Sequence, residues 1–226
     1  MTALRPGPAA SSQAVAASLA RSLAPPEDGA TPPPWLRTGQ HRSFRRTLAA
    51  VRRHRGAVLA DPVGSGKSYV ALAVAAEFNG LATTACLVPA TLAHQWAELA
   101  ARLGVPIALA SHEQASRGRL PQRTRGLVIV DESHHFRNRH TNRYRHLSRW
   151  LVGRPALLVT ATPIVNRLDD LAHQLWLAVR DNALVLDGIT SLRALLARGC
   201  TSPALSQLVV QSEEVSDGRP CRDSRI

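Results

Sequence analysis

Asp61-Pro62-Val63-Gly64-Ser65-Gly66-Lys67-Ser68 decides how this chain is read. The apolar run Ala57-Val58-Leu59-Ala60 stands just before it, and Val70, Val74 and Phe78 follow at the spacing of one helix face. Strand, glycine loop and helix in that order turn a glycine-and-lysine match into a phosphate site. Gly64 and Gly66 lack a Cβ, so the loop around Ser65 can curl with its N–H groups inward and approach a polyphosphate closely. A helix starting near Lys67 adds its unpaired N–H groups and the positive end of its dipole. Lys67 then places its ammonium on the terminal phosphates, and Ser68 its hydroxyl on Mg²⁺. Lys67 is the only lysine among 28 basic residues, consistent with a need for a compact point charge there. Asp61 stands where the usual loop pattern has its first glycine, so the loop alone leaves an ordinary glycine turn open.

The 226 residues suffice for one good-sized domain plus tails, and an apolar content of 45% suffices for a core. No apolar run reaches the ~18 residues of a membrane span, and no apolar segment follows a basic start as in a secretory signal. Cys86, Cys200 and Cys221 fit neither a zinc pattern nor a disulfide framework, and a reducing cytoplasm is the simplest home. The net charge of +12 suits a nucleic-acid partner or an arginine-rich proteome, and composition does not separate the two.

Outward from the loop toward the N-terminus, residues 37–55 hold seven arginines and no acid. Phe44, Leu48 and Val51 mark a helix there. Gln40, 27 positions before Lys67, offers a donor and an acceptor that could read an adenine edge, or it is a solvated glutamine at a helix start. Residues 1–34, rich in Ala, Ser and Pro, read as a disordered leader, with order expected from Trp35.

Toward the C-terminus, Ala85-Cys86-Leu87-Val88 reads as a buried strand closed by Pro89. Thr91 is expected to cap a helix carrying Leu92, Trp96, Leu99 and Leu103 that stops at Gly104. A short strand, Ile107-Ala108-Leu109, follows. Leu127-Val128-Ile129-Val130 then runs straight into Asp131-Glu132-Ser133-His134. Two carboxylates at the end of a central parallel strand are costly unless they act on something. Asp131 is placed to hold Mg²⁺ and Glu132 to polarise an attacking water; the alternative is an acidic strand end capping a neighbouring helix. His134, His135 and His140 lack an accompanying cysteine, and His134 and His135 are expected to point apart, so no metal is assigned to them. Residues 137–149 carry five arginines and no acid, either facing a phosphate backbone or solvated. Ala156-Leu157-Leu158-Val159 reads as a further strand, ending Thr160-Ala161-Thr162-Pro163, with hydroxyls beside the carboxylate strand. Leu168, Leu171, Leu175 and Val179 mark a helix. Ser191–Arg198 and Pro203–Val210 read as short helices, and from Gln211 the chain is polar.

Taken together these motifs resemble the first RecA-like domain of a superfamily-two DEAD/DEAH-like helicase, most of all the Swi/Snf-type (RapA-like) double-stranded DNA translocases. The residues that carry the resemblance are Leu36 to Gln40, Leu59 to Ser68, Leu87 to Ala90 with Gln95-Trp96, Val128 to His134 running on to Phe136-Arg137-Asn138, and Leu157 to Ile164 with Asn166 and Leu168. In that family Asp61 routinely replaces the first loop glycine. The resemblance spans roughly residues 35–180 and implies an α/β fold, a RecA-like P-loop NTPase domain whose parallel sheet has helices on both faces. It implies ATP and Mg²⁺, with Gln40 on adenine, Lys67 and Ser68 on phosphates and metal, and Asp131 and Glu132 running hydrolysis. Thr160 and Thr162 would couple nucleotide state to nucleic-acid grip, and Pro89, Ala90 and Thr91 would touch the nucleic-acid backbone, double-stranded DNA by the subgroup. Such enzymes take arginines for the γ-phosphate from a second RecA-like domain. The 46 residues after position 180 are too few for one, so residues 181–226 read as a truncated interdomain segment and polar tail, and a further domain or partner chain is expected to complete the cleft. The expected function is the ATP-binding half of an ATP-dependent helicase or translocase. The alternative is a non-catalytic ATP- or DNA-binding module.

Overall fold

A computed structural model describes residues 25–79, 83–121, 126–164 and 168–211. Six strands form one sheet: β1 (Gly56–Leu59), β2 (Thr84–Val88), β3 (Ile107–Ser111), β4 (Val128–Val130), β5 (Ala156–Val159) and β6 (Val209–Val210). Their spatial order is β3-β2-β4-β5-β1-β6, and every pairing is parallel. The helices are α1 (His41–His54), α2 (Lys67–Phe78), α3 (Ala93–Arg102), α4 (His112–Ser116), α5 (Asn142–Leu151), α6 (Leu168–Ala178) and α7 (Leu192–Ala197).

The inner strands read as unbroken apolar runs because both faces of the sheet are covered. Alternate residues serve opposite cores. Ala57, Leu59, Cys86, Val88, Ile129, Leu157 and Val159 pack with α1, α2 and α3. Val58, Leu87, Val128, Val130 and Leu158 pack with α5, α6 and α7. Gly56 lies where a Cβ would sit 1.9 Å from the Ala178 carbonyl oxygen, so the absence of a side chain lets the end of α6 close on β1. Among the described residues no helix is long and apolar enough to cross a membrane.

This is the expected parallel α/β fold, with three differences. The sheet continues beyond residue 180. Val209–Val210, expected in a short helix, pair with Val58 and Leu59 as β6 after a 3-10 turn over Pro203–Gln207. Arg46 of α1 fastens this segment by donating to the carbonyls of Gln211 and Ser206, each at 3.2 Å. Order also begins before Trp35. The Asp28 N–H donates to the Arg45 carbonyl at 3.1 Å, and Arg52 pairs with Asp28 at 2.8 Å. The rest of the expected leader (1–24), the tail after Gln211, and Gly80, Arg123, Arg125 and Asn166 lie outside the described residues. Thirdly, Thr91 caps no helix: it sits inside a 3-10 turn, Ala90–Leu92, that Pro89 opens, and α3 starts after Leu92 without a side-chain cap.

Candidate nucleotide site

The strand order places β5 between the strand that feeds the glycine loop (β1) and the strand that ends in Asp131 (β4). All three release their chains at the same edge of the sheet, the usual ligand edge of an open parallel sheet. A cleft of about 330 Å³ opens there, lined by Gly64, Gly66, Lys67, Ser68, Tyr69, Trp96, Asp131 and Glu132 among others. The glycine loop and the acidic strand end, 64 residues apart from Lys67 to Asp131, therefore share one space.

Gly64 and Gly66 both have φ of 82°, the left-handed region that glycine enters without strain. A Cβ on Gly66 would lie 2.2 Å from Nε2 of Gln40. Gln40 is seated against the loop: Nε2 donates to the Ser65 carbonyl at 2.8 Å, and Oε1 accepts from the Arg37 N–H at 3.0 Å. It lines a neighbouring hollow of about 340 Å³ with Trp35, Arg37, Ser65 and Tyr69. The Trp35 and Tyr69 rings stand 6.4 Å apart there, and Arg102 donates to the Tyr69 hydroxyl at 2.9 Å. This aromatic shelf was not singled out in the sequence; the only signal was Tyr69 following Ser68 directly.

Lys67 folds back over its own loop, with Nζ donating to the carbonyls of Asp61 and Pro62 at 2.9 Å each. Burial draws its pKa down, while Glu132, Asp61 and Asp131 pull it back up. The first turn of α2 carries no acid, so nothing there competes for its dipole. The buried Ser65 hydroxyl has no hydrogen-bond partner among the described residues. Two left-handed glycines, the Ser65 hydroxyl, a helix start and one ammonium fit a polyphosphate. The Ser68 hydroxyl and Asp131 carboxylate are the hard oxygen donors Mg²⁺ takes.

Asp131 is only 7% exposed. The Trp96 indole N–H donates to its Oδ2 at 2.8 Å, and Nε2 of His112 donates to its backbone carbonyl at 3.0 Å. Burial raises the Asp131 pKa; the Trp96 hydrogen bond and Lys67 oppose that rise. Trp96 thus orients the carboxylate and His112 fixes the backbone that carries it, roles that no local pattern announces across 35 and 19 residues.

Glu132 has φ of 47°, left-handed for a residue with a side chain, which costs about 1–2 kcal/mol. Strain of this kind is kept where geometry matters more than stability. His134 joins it to the next strand: Nδ1 is 3.1 Å from Glu132 Oε2 and 3.2 Å from Thr160 Oγ1. Thr160 is fully buried, and its hydroxyl oxygen accepts the Thr162 N–H at 3.1 Å. Thr162 takes part through its backbone, with its side chain exposed. The expectation that His134 and His135 point apart does not hold: on a 3-10 turn their rings lie 4.3 Å apart. Pro89, Ala90 and Thr91 leave β2 at the same edge, with Ala90 and Thr91 exposed.

An all-parallel sheet with a Gly-Lys-Ser loop, an acidic strand end and a threonine-bearing strand end beside it defines a RecA-like P-loop domain. Known proteins narrow that class. Residues 102–182 match the family described as SNF2-related domain, a stretch that takes in Asp131, Glu132, Thr160 and Thr162. Over 139 residues the chain is 36% identical to a Bacillus subtilis protein named "Uncharacterized ATP-dependent helicase YqhH", covering 51% of this chain and 24% of that protein. The fold is similar to a chain of the "Sulfolobus solfataricus SWI2/SNF2 ATPase core in complex with dsDNA", with a TM-score of 0.57 at 17% identity, covering 83% of this chain and 45% of that one. The chain thus spans about a quarter of the curated relative and under half of the solved structure's chain. Residues 102–182 are thus similar to the SNF2-related domain, and the wider fold is similar to that of a SWI2/SNF2 ATPase core.

Proposed function

We propose that this chain is the ATP-binding domain of an ATP-dependent DNA translocase or helicase, which couples Mg²⁺–ATP binding and hydrolysis to its grip on DNA. One observation carries the reading: Lys67 and Ser68 on the glycine loop share a single cleft with Asp131 and Glu132. In this reading Lys67 exchanges the carbonyls of Asp61 and Pro62 for the terminal phosphates. Gln40, with Trp35 and Tyr69, receives the base, and Gly64, Ser65 and Gly66 cradle the phosphates. Mg²⁺, held by Ser68 and Asp131, would neutralise charge developing on the phosphates. Trp96 keeps the Asp131 carboxylate in place, and Glu132 orients the water for attack. His134 passes the state of Glu132 to Thr160 and, through it, to the Thr162 backbone.

Double-stranded DNA as the partner rests on the match to the SNF2-related domain and on the similar SWI2/SNF2 ATPase core, which was in complex with dsDNA. Pro89, Ala90 and Thr91 are the proposed backbone contacts. A second RecA-like domain, on the same or another chain, would bring the arginines that complete hydrolysis. A reducing, cytoplasmic setting belongs to the same reading; among the described residues Cys86 and Cys200 form no disulfide.

Calorimetry tests the first step. Mg²⁺–ATP should bind the wild type, and Lys67→Ala should abolish binding; equal affinity in the variant defeats the proposal. ATP turnover with and without duplex DNA then separates a translocase module from a non-catalytic binder. Because arginine-rich surfaces release counterions on binding, DNA affinity should fall steeply with salt.

A further inference from the structure

Helix α6 buries Leu171, Ala172, Leu175 and Ala178, and in the middle of that apolar face stands Gln174, with no exposed surface. An amide buried without partners costs about 1–3 kcal/mol on mutational scales, so its partners explain its presence. Gln174 Oε1 accepts from the Ser133 hydroxyl at 2.7 Å. Nε2 donates to the Pro163 carbonyl at 2.8 Å and to the Asp170 carbonyl, one turn earlier, at 3.0 Å. Two carbonyls can only accept, so the orientation of the amide is fixed by what it touches.

Both remote partners adjoin the site without lining the cleft. Ser133 follows the strained Glu132 directly, and Pro163 closes the segment that begins at Thr160. Gln174 therefore ties the chain after Glu132 to the loop beside it, from a fully buried position. His134 joins the same two segments where its side chain is 22% exposed and water competes for its hydrogen bonds. No water competes for those of Gln174.

We propose that Gln174 is a positioning residue that locks Ser133 to Pro163, so that a nucleotide-driven shift at Glu132 is transmitted to the Thr160–Pro163 loop and onward to the DNA-binding surface. This rests on the function proposed above. The left-handed Glu132 is a point at which the chain can change conformation, and any change there must carry Ser133 with it. Through Gln174 the shift reaches both the loop and α6.

The test reads coupling apart from binding. Duplex DNA affinity is measured on the full chain with and without a non-hydrolysable ATP analogue plus Mg²⁺, and the ratio of the two constants is the coupling. Gln174→Leu removes the bridge, and Ser133→Ala, a one-atom deletion, opens it more gently should the leucine variant fail to fold. The analogue should bind both variants within about threefold of wild type, while coupling falls at least about fivefold. The double variant should be no worse than Gln174→Leu alone, because both break one contact. Unchanged coupling in a folded variant overturns the proposal, as does analogue affinity falling in step with coupling. A wild type that binds no nucleotide overturns the proposed function itself. A wild type that binds nucleotide but shows no coupling overturns the coupling in that function too, whereas wild-type coupling that survives in the folded variants overturns only the role of Gln174.

Discussion

Replacing Gly66 by alanine probes the loop through two separable costs. At φ of 82° an L-residue is strained by about 1–2 kcal/mol. The new Cβ also falls 2.2 Å from Gln40 Nε2, and the clash is with the far end of a side chain, which can move. Moving it breaks the 2.8 Å bond to the Ser65 carbonyl, a loss of about 1 kcal/mol. The sum, about 2–3 kcal/mol, corresponds to ATP binding weakened roughly 30- to 150-fold if nucleotide requires the loop as it stands. Gln40→Ala alone should cost about 1 kcal/mol. In the Gly66→Ala background it should cost almost nothing, because the bond is already broken and the clash is relieved. Calorimetric titration of ATP into the two single variants and the double variant, with thermal melts to confirm folding, gives the cycle. Strict additivity, or a Gly66→Ala variant that binds like wild type, would refute the close packing of Gln40 on the loop.

Two further outcomes follow from the fold. The His112 pKa is lowered to about 4, chiefly by burial, with His135 and Arg143 adding repulsion and the Asp131 carbonyl and Glu113 opposing it. Against an ordinary value near 6.5, the unfolded chain binds the proton first, so stability is full above about pH 6.5 and falls as pH drops toward 4, by roughly 3 kcal/mol from this residue. His112→Gln should flatten that part of the profile in chemical denaturation at stepped pH; an unchanged slope would remove His112 as its source. Gly56→Ala sets a Cβ against the Ala178 carbonyl, where only backbone could yield. A loss of about 3 kcal/mol, roughly 6–12 °C in melting temperature, is expected, and a melt within 2 °C of wild type would contradict the close approach of α6 to β1.

What the sequence made legible was local. The run into the glycine loop, the abrupt change from Val130 to Asp131 and the heptad-like spacing of Phe44, Leu48 and Val51 each record a single element meeting one environment. The strand Ala156–Val159 came out with its bounds intact because β-branched and leucine residues ended at a threonine. What stayed hidden depends on partners remote in the chain. Val209–Val210 is too short to show a period, and it becomes a strand only because β1 offers it a free edge. Trp96 looked like one more apolar position on a helix face, yet its indole N–H serves Asp131. His134 seemed a metal candidate to be set aside, and its use as the bridge from Glu132 to Thr160 needs the β4–β5 neighbourhood to be known. Thr91 failed as a cap because Pro89 had already turned the chain into a 3-10 segment.

The central claim is that the glycine loop and the acidic strand end hold one magnesium-bound triphosphate between them. ATP affinity measured with Mg²⁺ and again with chelator, in wild type and in Asp131→Asn, addresses it directly. The asparagine variant should stay folded, since burial already disfavours the charged carboxylate and an amide oxygen can still accept from Trp96. Wild type should bind at least about tenfold more tightly with Mg²⁺ than without, and Asp131→Asn should bind equally in both. A variant that keeps the full magnesium enhancement would place the metal elsewhere and contradict the account.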